Sequence, residues 1–117
     1  MRGLKLVWWV VMTLGLMVMS PARAEPTESV KTGQSIAWSR SQGNCLACHY
    51  MPDAEFPGNI GPPLIGMKSR FPDRSVLRAQ VWDATTLNPD TMMPPYGRHQ
   101  ILTEEEIDQV VDYLYAI

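Results

Sequence analysis

The stretch GNCLACHYMP, residues 43–52, holds both cysteines of this 117-residue chain and one of its two histidines. Cys45 and Cys48 are separated by two residues, and His49 follows directly. Such a group can serve as a redox disulfide, as part of a zinc site, or as a covalent anchor. The rest of the chain decides among these, beginning with what flanks the stretch.

Upstream, VKTGQSIAWSR (30–40) reads as a helix with Val30, Gly33 and Ala37 on one face and Ile36 beside them. Gly33 costs that helix stability. Either another helix approaches closely there or the helix breaks. Downstream, MPDAEFPGNIGPPLIG (51–66) packs four prolines and three glycines into sixteen residues, which no helix interior tolerates. FPDRSVLRAQVWDATTLN (71–88) restarts a helix, with Pro72 in its first turn and Asn88-Pro89 as its stop. Val76, Leu77, Ala79, Val81 and Trp82 supply its apolar positions. NPDTMMPPYG (88–97) forms a second stiff loop. A last helix follows, opened by the Thr103/Glu106 capping box and carrying the stripe Ile107, Val110, Val111 and Leu114. No alternating strand pattern of useful length and no internal repeat occurs. The expected architecture is all-α, with three main helices and two long loops that wrap something.

The N-terminus stands apart. Arg2 and Lys5 precede an apolar run from Leu6 to Met19, and Ala22-Arg23-Ala24 fits a small-x-small cleavage site. The run is shorter than the roughly 20 residues that span a bilayer. Residues 1–24 are therefore expected to be a cleaved export signal, with a retained membrane anchor as the alternative, and the domain covers 25–117. The full chain carries a formal charge of −2. Arg2, Lys5 and Arg23 leave with the leader, so seven basic residues face twelve acidic ones, a formal −5. That balance argues against nucleic-acid binding, which depends on clustered Lys and Arg.

In this setting C-x-x-C-H reads as the attachment signature of c-type haem. Two thiols one turn apart can add to the porphyrin vinyl groups, and the adjacent imidazole lies under the iron. A thioredoxin-like pair wants a βαβ setting, which is missing. A structural zinc wants four ligands, and only His99 could join Cys45, Cys48 and His49. A plain disulfide here closes a very short loop and stabilises little. A haem also supplies the interior that so small a chain lacks.

The candidates for the iron's sixth ligand are Met51, Met67, Met92, Met93 and His99. Met51 is too close to His49 to reach the opposite face, and Met67 reads as packing. Met92 and Met93 lie in a proline-fixed loop that would hold a thioether at low entropic cost. Spacing leaves both open, with Met93, directly before Pro94, the preferred one. His99 would give bis-histidine iron at lower potential.

These residues together resemble a class I cytochrome c. GPPLIG (61–66) is similar to that fold's Gly-Pro-x-Leu-x-Gly segment. The resemblance implies that the Pro62 carbonyl accepts from His49 Nδ1–H, that Leu64 packs on the proximal haem face, and that Arg70 neutralises a haem propionate. It also implies that Val110 and Tyr113 cross the first helix near Gly33 and Ala37. The spacing from Gly33 to Cys45 is longer than is usual in that class. DATTLNPDTMMPPYG (83–97) with LTEEEIDQVVDYLYAI (102–117) narrows the likeness to the SoxX family, the mono-haem subunits of SoxAX sulfur-oxidation cytochromes. In that family the methionine before Pro-Pro is the axial ligand, which falls on Met93.

That resemblance implies a periplasmic electron-transfer subunit, with a SoxA-type cytochrome partner, a sulfur-carrier protein reached through the complex, and a soluble cytochrome c acceptor. The complex would couple thiosulfate oxidatively to a carrier cysteine. This chain has no third cysteine to supply the substrate-activating sulfur ligand, so it would not be catalytic alone. The alternative is a free-standing mono-haem carrier. Tyr96 and Met92 are candidate docking residues near the haem edge, against ordinary core packing for both.

Overall fold

The computed structural model describes residues 24–117. The expected leader lies outside these, apart from its last residue, Ala24. Among the described residues there is no strand. The elements are α1 (Glu28–Trp38), a 3-10 turn (Cys45–Ala47), α2 (Met67–Arg70), α3 (Arg74–Trp82), a second 3-10 turn (Ala84–Thr86) and α4 (Glu104–Ala116). Three principal helices are present, as expected.

α4 is set by local chemistry. The Thr103 hydroxyl accepts from Glu106 N–H at 3.2 Å, and the Glu106 carboxylate accepts from Thr103 N–H at 2.8 Å. Two donors at the helix start are thereby satisfied. Glu104, Glu105 and Glu106 also face the positive end of the helix dipole. The helix buries Ile107, Val110, Val111, Tyr113 and Leu114, which is the expected stripe plus one tyrosine.

α1 lies across this face. Gly33 is buried against the α4 backbone, where a Cβ would stand 1.9 Å from the Gln109 carbonyl oxygen. Close approach, not a helix break, is therefore the reason for this glycine. Ile36 and Ala37 complete the buried side of α1. Trp38 Nε1–H donates to the Tyr113 hydroxyl at 3.1 Å and ties the end of α1 to α4.

α3 departs from expectation at both ends. Its N-cap is Asp73, whose carboxylate accepts from Ser75 N–H, so Pro72 stands just outside the helix. It ends at Trp82, well before Asn88-Pro89. The Asp83 carboxylate accepts from Thr85 N–H and opens the second 3-10 turn instead. Only Leu77 and Val81 are buried along α3, one turn apart, while Val76 is exposed.

The α3–α4 contact carries an ionic cluster. Asp108 accepts from Arg78 Nε at 2.8 Å and from Arg74 at 3.2 Å, and Arg74 also reaches Asp112 at 2.7 Å. Hydrogen bonding from Arg78, and then from Arg74, holds the Asp108 carboxyl below the usual carboxylate range. A depressed folded-state pKa contributes stability above the unfolded value, about 3.9, and that contribution is lost as pH falls through the folded value. The unfolding midpoint of the haem-loaded chain is thus expected to fall below about pH 4. Because Arg74 and Asp108 are 40% and 43% exposed, each pair contributes only about 0.2–1 kcal/mol. The Asp108→Asn variant should show a smaller acid loss. An identical acid profile in both proteins would contradict this assignment.

Candidate haem-attachment site

The C-x-x-C-H stretch is wound into a single tight turn. Asn44 takes a left-handed conformation at its start (φ 50°). Cys48 and His49 N–H groups then donate to the Cys45 carbonyl at 3.2 and 2.9 Å. Cys45 and Cys48 are half-buried and carry no disulfide. Burial pushes the Cys45 thiol up to about 11. A thiol so poorly ionised is a weak nucleophile at neutral pH, unlike the attacking cysteine of a thioredoxin-type pair. Among the described residues no three His, Cys, Asp or Glu side chains converge on one point, which leaves a zinc site without a ligand set.

The first Pro/Gly loop folds back along this turn. Gly58 N–H donates to Leu46 carbonyl at 2.7 Å, Gly61 N–H to Cys48 carbonyl at 2.8 Å, and Leu64 N–H to Tyr50 carbonyl at 2.8 Å. Loop and motif approach so closely that a Cβ at Gly61 would sit 2.4 Å from His49 Cε1.

His49 Nδ1 lies 2.7 Å from the Pro62 carbonyl oxygen. A carbonyl can only accept, so Nδ1 carries a proton, and in the neutral ring Nε2 is then the nitrogen with the lone pair. This is the tautomer a metal-bound imidazole needs, and the bond raises its basicity. Arg70 donates to the next carbonyl, Pro63, at 2.7 Å and to Met67 Sδ at 3.3 Å. Arg70 thus steadies the segment that orients His49, a contact the sequence did not reveal. Leu64 is half-buried against the core.

The candidate sixth ligands differ in burial. Met51 is fully buried and Met67 nearly so, both within the hydrophobic core. His99 is exposed. Met92 is 76% exposed, whereas Met93 is half-buried and packs against the core. Tyr96 is only 6% exposed, which bears out core packing, the preferred of its two readings, whereas the exposure of Met92 goes against core packing there. The Tyr96 hydroxyl donates to the Gly43 carbonyl and joins the methionine loop to the turn before Cys45. Burial, and then proximity to Cys45, raises its pKa.

The residues present fit a covalently held haem. Two unpaired cysteines lie one turn apart, a histidine has its coordinating nitrogen free, and a glycine leaves no side chain against the ring. The two Pro/Gly loops also carry exposed apolar residues, among them Phe56, Ile60, Ile65 and Met92. Apolar side chains in such number are usually covered by something.

Comparison with known proteins agrees. The family model described as cytochrome c oxidase, cbb3-type, subunit III, matches residues 28–114. The crystal structure of SoxXA from P. pantotrophus is similar over 81% of this chain and 82% of that chain, with a TM-score of 0.65 and 30% sequence identity. An uncharacterized lipoprotein of Aquifex aeolicus (strain VF5) is 36% identical over 75 residues, which make up 63% of this chain. The matched segment spans 36% of that protein's length.

Proposed function

The chain belongs to the class I c-type cytochromes, the family of the cbb3-type subunit III model, and on that premise we propose a mono-haem electron-transfer subunit of a SoxAX-type complex. The observation that carries the electron-transfer reading is the fixed His49 tautomer, supported by a half-buried Met93 in a proline-stiffened loop. A bound haem supplies a one-electron iron couple. The chain supplies the thioether anchors at Cys45 and Cys48, the imidazole of His49 and the thioether of Met93. His49 and Met93 would together hold the iron with two protein ligands, a set that suits electron transfer and raises the potential.

The likeness to SoxXA supports a SoxA-type partner. We extend this to thiosulfate coupling on a carrier cysteine, with electrons passing to a soluble cytochrome c. The functional domain is residues 25–117 and acts in the periplasm after cleavage of the leader. No helix among the described residues is long and apolar enough to cross a membrane.

The ligand assignment is tested by the visible spectrum of the oxidised, haem-loaded protein. Met93→Leu should abolish the far-red methionine-to-iron charge-transfer band, and Met92→Leu should leave it intact. The reverse result overturns the assignment. The partner is tested by purification from native periplasm. Recovery as a stable complex with a larger cytochrome subunit supports this role, and a monodisperse monomer points to a free-standing carrier.

A further inference from the structure

The residues that follow Pro94-Pro95 are fastened more firmly than a simple turn requires. Tyr96 is held at the Gly43 carbonyl. Gly97 lies against the Trp82 indole, where a Cβ would stand 2.0 Å from Cε3 and 2.1 Å from Cδ2. Its N–H donates to the Trp82 carbonyl at 3.0 Å. Arg98 Nε meets the Asp83 carboxylate at 2.7 Å. Asp83 is the buried charged side chain among the described residues, and its other carboxylate oxygen accepts from the Thr85 hydroxyl and N–H. The Arg78 guanidinium also covers the Trp82 ring, 5.6 Å from its centroid. Three successive residues, 96 to 98, are thus anchored to the motif turn and to the C-terminal end of α3.

Pro94 and Pro95 transmit that anchoring. Each fixes its own φ, so little backbone freedom separates Met93 from Gly97. We infer that the Trp82–Gly97 stack and the Asp83–Arg98 ion pair are positioning elements for Met93, which set how firmly its thioether resists replacement by an incoming ligand. This inference rests on the assignment of Met93 made above. None of these four residues belongs to the C-x-x-C-H turn. They act by limiting how far the methionine loop can swing outward. Misplacement of a coordinating group by a fraction of an ångström weakens it sharply, which is why the supporting contacts matter.

The test is titration of the oxidised, haem-loaded full chain with imidazole, following the far-red methionine band. Gly97→Ala forces a methyl group into the indole and should raise the apparent imidazole affinity by about tenfold or more. Trp82→Leu should also raise it, and in that background Gly97→Ala should add little, because the obstructing ring is gone. Arg98→Met should raise the affinity, and Arg98→Lys should restore most of the wild-type value by keeping the charge beside Asp83. Denaturant unfolding of each variant separates loop release from general instability. Unchanged imidazole affinity in both Gly97→Ala and Arg98→Met, whatever their stability, overturns the inference. Should Gly97→Ala fail to fold, the Arg98 pair still decides. Met93→Leu serves as the control: if the band survives it, the ligand assignment itself has failed.

Discussion

Gly33→Ala in the haem-loaded chain is expected to unfold at a markedly lower denaturant concentration than the parent. Helix propensity predicts the opposite, since alanine in a helix interior is favoured over glycine by about 0.8–1.0 kcal/mol. The crossing with α4 decides the sign. The new methyl carbon would stand 1.9 Å from the Gln109 carbonyl oxygen and 2.5 Å from its carbon. Both are backbone atoms of α4 and cannot rotate aside. α1 must then shift away from Ile107, Val110 and Val111, and overpacking of this kind costs about 1–3 kcal/mol, occasionally more. For a domain of this size each kcal/mol lost lowers Tm by about 4–8 °C. Gly66→Ala is a useful contrast. Gly66 has φ 59° with nothing near its Cβ position, so its cost is left-handed strain alone, about 1–2 kcal/mol. A Gly33→Ala protein as stable as the parent would remove the close crossing as the reason for this glycine.

Gly61→Ala is expected to act on the iron rather than on the core. Its Cβ would collide with His49 Cε1 at 2.4 Å and with Nδ1 at 2.6 Å. Either the imidazole tilts or the 57–62 segment retreats, and both movements strain the Nδ1–H bond to the Pro62 carbonyl. Loss of that bond lowers the basicity of the imidazole and disfavours ferric iron relative to ferrous. The midpoint potential should therefore rise, by about 59 mV for each tenfold change in relative affinity. Spectroelectrochemistry of the purified cytochrome reads this directly. An unchanged potential together with an unchanged low-spin spectrum would show that the glycine is not needed to seat His49.

The parts of the fold that were legible in the sequence are those governed by neighbours along the chain. The capping box at Thr103 and Glu106 and the apolar stripe of α4 need only one helix turn to be read. The C-x-x-C-H turn is equally local. The parts that were missed depend on partners far away in sequence. α3 ends at Trp82 because Asp83 caps the next turn and Gly97 occupies the Trp82 carbonyl. The Tyr96 hydrogen bond depends on Gly43, and the Arg70 contact depends on how the Pro62-Pro63 segment folds back. Met92 and Met93 were indistinguishable by spacing because adjacent residues in a loop share no fixed periodicity. In the fold they differ in exposure, Met92 lying out in solvent and Met93 packing against the core.

The α1–α4 crossing also bears on the order in which the molecule is made. α1 is synthesised early, yet the surface that buries Gly33, Ile36 and Ala37 arrives only with α4. Contacts of such long sequence separation are late to form. Until they do, the thiols of Cys45 and Cys48 lie in an open chain, free of the burial that later suppresses ionisation of Cys45. A polypeptide that is to receive a covalent group benefits from remaining unclosed until that group is in place. The two halves of the clasp lie on either side of the attachment motif, so α1 and α4 cannot close on each other before that motif has been made.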